Sequence, residues 1–171
     1  MQALEGLEPK SSHQRLWDRH ASPISILLLG GLLFAAGLGL TGGQPSPPIM
    51  ADFGDARLVV KTPTTIRNGE FFETDLTLIA EARMADAVIA VSPALWHDMT
   101  VNTMIPAPAE ESFEDGYFHF SYGRLDVGES VHVKIDGQIN PPLFAGTKGD
   151  IAVFDGGRRI GAMPLRIKVL P

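Results

Sequence analysis

The sequence predicts an all-β domain, an antiparallel sandwich, carried behind a single membrane-spanning helix. Three observations carry this. An uncharged apolar run occupies Ile24 to Leu40. After about Ala51 the apolar residues recur with period two, the spacing of a half-buried strand. Turn residues break that pattern at short intervals, and no stretch keeps a period of 3.6.

The apolar run reads ISILLLGGLLFAAGLGL, with Ser25 its one polar residue. A helix rises about 1.5 Å per residue, so crossing the hydrocarbon takes roughly 20 residues. Residues 21–43 supply that length, with Pro23 in the first turn and Pro45 beyond the end. Lys10, Arg15 and Arg19 precede the run, and no Lys or Arg follows until Arg57. The positive-inside rule then makes 1–20 a cytoplasmic tail and places the rest outside, at the cell membrane. The rival reading is a signal peptide cleaved near Ala35-Ala36-Gly37, but a signal h-region is usually about 7–15 residues and this run is longer. Gly31, Ala35, Gly39 and Gly43 recur every fourth residue. Such a stripe permits close helix–helix approach in a membrane, with a partner of a membrane complex or by self-association through the helix.

Residues 44–56 read as a Pro/Gly-rich linker, and 57–171 as the sandwich. Phe72, Thr74, Leu76, Leu78 and Ala80 alternate with polar residues. Ala87 to Val91 is apolar throughout, suited to a strand buried on both faces. Met99–Ile105 follows, then Phe118, Phe120 and Tyr122, then Val131, Val133 and Ile135. Ile151 with Val153, and Leu165 with Ile167 and Val169, close the chain. Asp115-Gly116, Asp136-Gly137 and Asp155-Gly156-Gly157 predict turns. Roughly seven or eight short strands so punctuated fit an immunoglobulin-like sandwich.

Certain short motifs carry a resemblance. Asn68-Gly69-Glu70 precedes one alternating strand, and Gly123-Arg124-Leu125-Asp126-Val127-Gly128-Glu129-Ser130 precedes another. An apolar strand between them ends at Ser92-Pro93. This resembles the Ig-like conserved-repeat domains of bacterial and archaeal cell-surface proteins, over most of residues 58–139. The resemblance implies a fold and an extracytoplasmic, non-catalytic role, and it implies no site.

The composition excludes several function classes. A net charge of −6 argues against a nucleic-acid binder, which needs clustered Lys and Arg. The chain has no cysteine, which removes disulfides, thiolate metal sites and cysteine nucleophiles. No nucleophile elbow, phosphate loop or His-Glu-x-x-His helix occurs, so no catalytic residue is assigned and no cofactor is expected. The reading that remains is a protein-contact module, an accessory subunit of a membrane complex. Its candidate contact residues are Trp96, Asn140 and Phe144, in loops at the ends of the sandwich. The alternative is a copper-handling protein using His97, Met99 and Met104, because imidazole with thioether suits copper. His119 and His132 do not make a zinc pair if the strand ending near Arg124 pairs with the one starting near Ser130, since they then fall out of register. An enzyme with an unrecognised site is the third reading.

Overall fold

A computed structural model of the chain describes the backbone of residues 12–38, 47–141 and 146–171, with side chains from Pro23 onward. It divides into two compact units, residues 1–41 and 42–171. The first holds helix α1, Ser12–Gly37. The helix starts within the stretch expected to be a polar tail, and Pro23 lies inside it rather than in its first turn. Proline has no N–H for the carbonyl four residues back, so one helical hydrogen bond is missing where the polar part meets the apolar part. Ile26, Leu27, Leu28, Leu33 and Phe34 are all exposed. The expected span of 21–43 is helical as far as Gly37, and residues 39–43 lie outside the described residues. Among the described residues no helix is long and apolar enough to cross a membrane.

The second unit is a two-layer β-sandwich. Its strands are β1 (Ile49–Asp52), β2 (Ala56–Lys61), β3 (Thr65–Arg67), β4 (Phe71–Ala80), β5 (Ala87–Val91), β6 (Met99–Ile105), β7 (Glu110–Glu114), β8 (Tyr117–Ser121), β9 (Ser130–Ile139), β10 (Thr147–Asp155) and β11 (Arg158–Leu170). One sheet has the order β1-β2-β4-β9-β6 and the other β3-β11-β10-β5-β8-β7. All neighbours are antiparallel except β3 with β11. Within these sheets, β2-β4-β9-β6 faces β11-β10-β5, the seven-strand frame of an immunoglobulin-like sandwich. The hairpin β7–β8 is an addition, inserted between β6 and β9 in the chain and joined to β5 in space.

The core lies between the sheets. Leu58, Val60, Leu76, Leu78, Val133 and Ile135 meet Ile89, Val91, Phe120, Ile151, Val153 and Leu165. The period-two pattern puts these side chains on one face of each strand. β5 is buried at all five positions for a local reason. Ala87, Ile89 and Val91 enter the main core, while Val88 and Ala90 join Ala152 and Phe154 under Tyr117 on the outer face.

Three expectations are revised. The strand before Arg124 and the strand after Ser130 do not pair: β8 and β9 lie in opposite sheets. Residues between them cross the sandwich, pinned where Leu125 and Met84 exchange backbone hydrogen bonds of 2.9 and 3.1 Å. Alternation reports which face a side chain takes and leaves the partner strand open. Second, Asp136-Gly137 is no turn but the interior of β9. Gly137 sits opposite Phe72, whose ring would lie 2.6 Å from an added Cβ. On its other side β6 shifts register between Val101 and Thr103, so the glycine marks a bulge site. Third, β1 falls within the stretch expected as linker, where Ile49–Asp52 pairs with residues 57–60 of β2.

Candidate functional site

The inserted hairpin creates a concavity beside the sandwich core. β6 ends one sheet and β7 ends the other, so the two layers part along this side of the sandwich. The gap is a groove of about 660 Å³. Its walls come from Val101 and Met104 of β6, Trp96 of the preceding loop, and Phe113, Phe118 and Phe120 of the hairpin.

Local sequence explains how these side chains arrive there. Asp115 and Gly116 both take positive φ, 49° and 79°, which matches a two-residue hairpin turn. That turn sets Phe113 opposite Phe118 and Glu111 opposite Phe120. Phe113 and Phe118 then lie 5.1 Å apart between ring centres. Trp96 stacks on Phe118 at 6.0 Å and 24°, and tilts against Phe120 at 5.6 Å. Centroid separations of this size are those of favourable aromatic pairs, worth about 0.5–1.5 kcal/mol each beyond area burial. Phe113 stays 58% exposed and Phe118 37%, so apolar surface remains uncovered at the rim.

Asn102, Thr103, Glu111 and Ser112 bring polar groups to the groove, and Tyr122 touches its wall through Met104. Tyr122 donates its hydroxyl to Met104 Sδ at 3.0 Å. Burial, with the nearby negative charge of Glu111, pushes the Tyr122 phenol up to about 12. Glu111 stands at the rim. A cleft with aromatic walls, a few polar side chains and no imidazole can hold and orient a partner.

The sequence-derived candidates are distributed unevenly. Trp96 belongs to the groove and also packs on the core. Asn140 does not line it: the Asn140 side-chain oxygen accepts from Thr100 Oγ1 at 3.1 Å and its N–H donates to the Asp98 carbonyl, tying the end of β9 to the loop before β6. Phe144, Gly39 and Gly43 lie outside the described residues. Gly31 and Ala35 lie on α1, and a Cβ at Gly31 would meet nothing within 4 Å. The copper set is dispersed. His97 is exposed and sits 3.0 Å from Asp98. Met99 packs with Ile66 and Ile139, while Met104 lines the groove. Five strand residues at about 3.3 Å each separate the two thioethers along β6. His119 and His132 stand in opposite sheets. Among the described residues no three His, Asp or Glu side chains gather closely enough to hold a metal ion.

Sequence alone gives no signal for Phe113 or Val101 as contact residues, marks Phe118 only as a strand position, and presents Glu111 at the end of an acidic, proline-rich stretch, residues 105–111, that suits a contact loop. Asp115-Gly116 is legible as a turn, but no alternating pattern marks the arm before it. A two-residue hairpin turn requires a strand on each side, and that rule finds Glu110–Glu114.

Neither a family model nor a curated protein matches this chain. Several solved structures do. The CARDB domain of a Pyrococcus furiosus protein is 9% identical, with 68% of this chain and 94% of that one covered and a TM-score of 0.44. The chitin-binding domain of a chitinase from the same organism is 20% identical, covering 70% and 100%, with a TM-score of 0.38. CaCohA2 of Clostridium acetobutylicum is 13% identical, covering 64% and 90%, with a TM-score of 0.41. The likeness is one of fold alone.

Proposed function

We propose that this chain is a membrane-tethered, extracytoplasmic contact module that holds a protein partner at the groove between β6 and the β7–β8 hairpin. It serves as a non-catalytic accessory subunit of a membrane complex. The observation that carries this is the cluster of Trp96, Phe113 and Phe118, with apolar surface left open at the edge of a well-packed sandwich. Exposed apolar patches rimmed by polar groups mark interaction sites, and aromatic anchors dominate their energetics. The tether is supported by the uncharged run Ile24–Leu40 and by the exposed leucines of α1, which need an apolar surrounding.

Two measurements test the reading. Protease added outside spheroplasts is expected to digest the sandwich and leave the N-terminal tail protected. A soluble mature form starting near Leu38 or Gln44 would defeat the tether. A photo-crosslinking residue at Phe113 is expected to capture a membrane-complex protein that the same probe at Asp52, on the opposite edge, does not. Equal capture at both positions, or none at Phe113, removes the groove as the contact site.

A further inference from the structure

The hairpin that walls the groove has a second property. β7 is the last strand of its sheet and pairs only with β8. Its register over Glu110–Glu114 is unbroken. Of the other three edges, β6 is interrupted by its bulge, β3 is only Thr65–Arg67, and β1, Ile49–Asp52, does not border this groove and lies at the far side of its sheet from β6. A regular free edge is a template for another strand unless the protein guards it. A guarded edge avoids exposed apolar side chains, yet here Phe113 is 58% exposed.

Charge on this edge is strongly one-sided. From Met99 to Tyr117 the chain carries four carboxylates, Glu110, Glu111, Glu114 and Asp115, and no Lys, Arg or His. Elsewhere several acids are matched: Glu73 with Lys134, Glu81 with Arg57, Asp55 with Arg158, Asp126 with Arg124. Among the described residues no ion pair forms at Glu110, Glu111, Glu114 or Asp115. The two faces of β7 also differ. Phe113 and Glu111 line the groove, whereas Glu110 and Glu114 line a shallow cleft on the outer face, beside Asp86 and His119.

We propose that the free edge of β7 receives an extended segment of a partner protein in which apolar and basic side chains alternate, the apolar ones entering the groove beside Phe113 and the basic ones facing Glu110 and Glu114. This rests on the protein-contact reading above and names the chemistry of the partner. Strand addition supplies affinity through main-chain hydrogen bonds, and alternate side-chain pockets supply specificity. Successive side chains of an added strand point to opposite faces, so an apolar groove on one side and carboxylates on the other select an alternating sequence. A second copy of this chain is a poor occupant, because β7 against β7 sets Glu near Glu, and like charges across strands repel.

The test uses the full-length protein in nanodiscs with Trp17→Phe, which leaves Trp96 as the one indole of the two in the sequence. Three synthetic peptides of about eight residues, a common strand length, are titrated against its fluorescence. One alternates lysine and valine. The second has the same composition with the lysines grouped, and the third alternates but carries backbone N-methyl groups. The alternating peptide is expected to bind saturably and to slow amide exchange in β7. The other two should bind about tenfold more weakly, as should the first peptide on Phe113→Ala or on Glu110→Gln with Glu114→Gln. Equal binding of the grouped or N-methylated peptide overturns strand addition, as does binding indifferent to Phe113→Ala. Dimerisation without peptide, with β7 protected, overturns the choice of occupant. If Phe113 crosslinks a membrane partner but no peptide binds, strand addition fails and the groove reading stands. If neither occurs, both fail.

Discussion

At the scale of single residues, Asp155 and Tyr122 are among the side chains whose ionisation the fold shifts. Burial opposes the charge on Asp155, but its carboxylate accepts the N–H groups of Asp86 and Ala85, at 3.1 and 2.7 Å, and faces Arg158. The balance lowers its pKa. A lowered folded-state value means that the stabilisation is complete above the unfolded value, about 3.9, and is lost as pH falls through the lower folded one. Asp155→Ala should therefore cost about 1–3 kcal/mol near neutrality, since two N–H donors lose their acceptor. Urea midpoints measured against pH should show the difference from the parent narrowing in acid. A pH-independent difference would mean that the side chain acts through packing alone. Tyr122 runs the other way. Its value is raised to about 12, so the unfolded chain ionises first, at about 10. Stability should fall as pH rises from about 10 toward 12, and Tyr122→Phe should flatten that limb. The one other tyrosine, Tyr117, is also raised, first by its hydrogen bond to Asp150, so phenolate absorbance assigns the Tyr122 shift when read in Tyr117→Phe. A Tyr122 titration near the ordinary value would place the hydroxyl in water.

At the scale of elements, β4 and β9 form a pair with matching construction. Their burial patterns are identical along ten residues. Each is entered by a Gly-Glu turn: Arg67-Asn68-Gly69-Glu70 for β4, Asp126-Val127-Gly128-Glu129 for β9. In both, glycine takes positive φ, 78° and 84°, and the Glu carboxylate accepts the N–H three residues back, at 3.1 and 2.8 Å. The Glu70 carbonyl then accepts from Ile139, and that of Glu129 from Ala80, so each turn also closes the far end of the other strand. Gly69→Ala and Gly128→Ala should each cost about 1–2 kcal/mol from left-handed strain. The turns sit at opposite ends of the strands, so the two losses should add. Denaturant titration of the double variant checks this, and strong non-additivity would show that the turns do not act locally. The motif was visible in the sequence before its geometry was known, because left-handed glycine and a short reach back to an N–H are local properties.

At the scale of the molecule, every buried hydrophobic side chain among the described residues lies between Ala56 and Val169. A fragment from Gly42 onward should therefore unfold in a single cooperative transition, with a midpoint like that of the whole chain in detergent. Separate transitions by tryptophan fluorescence and far-ultraviolet circular dichroism would contradict that. The groove is likewise a property of the whole. Trp96 was recognisable as a contact candidate, but Phe113 and Phe118 became partners only when the hairpin joined β5 and faced β6 across the gap between layers.

The sequence by itself determined the apolar helix, the sandwich class, the inward face of each recognised strand and the turns at Asp115-Gly116 and Asp155-Gly156. These follow from an unbroken apolar run, from the period of 2 and from the backbone freedom of glycine, which are local properties of the chain. Only the tertiary structure decided that β8 and β9 lie in different sheets, that Asp136-Gly137 continues a strand, and that Met99 and Met104 serve different places. Strand partnership is settled by which apolar faces can share one core across long stretches of chain. Alternation is blind to that choice, because it marks a side chain as inward without naming what it meets there.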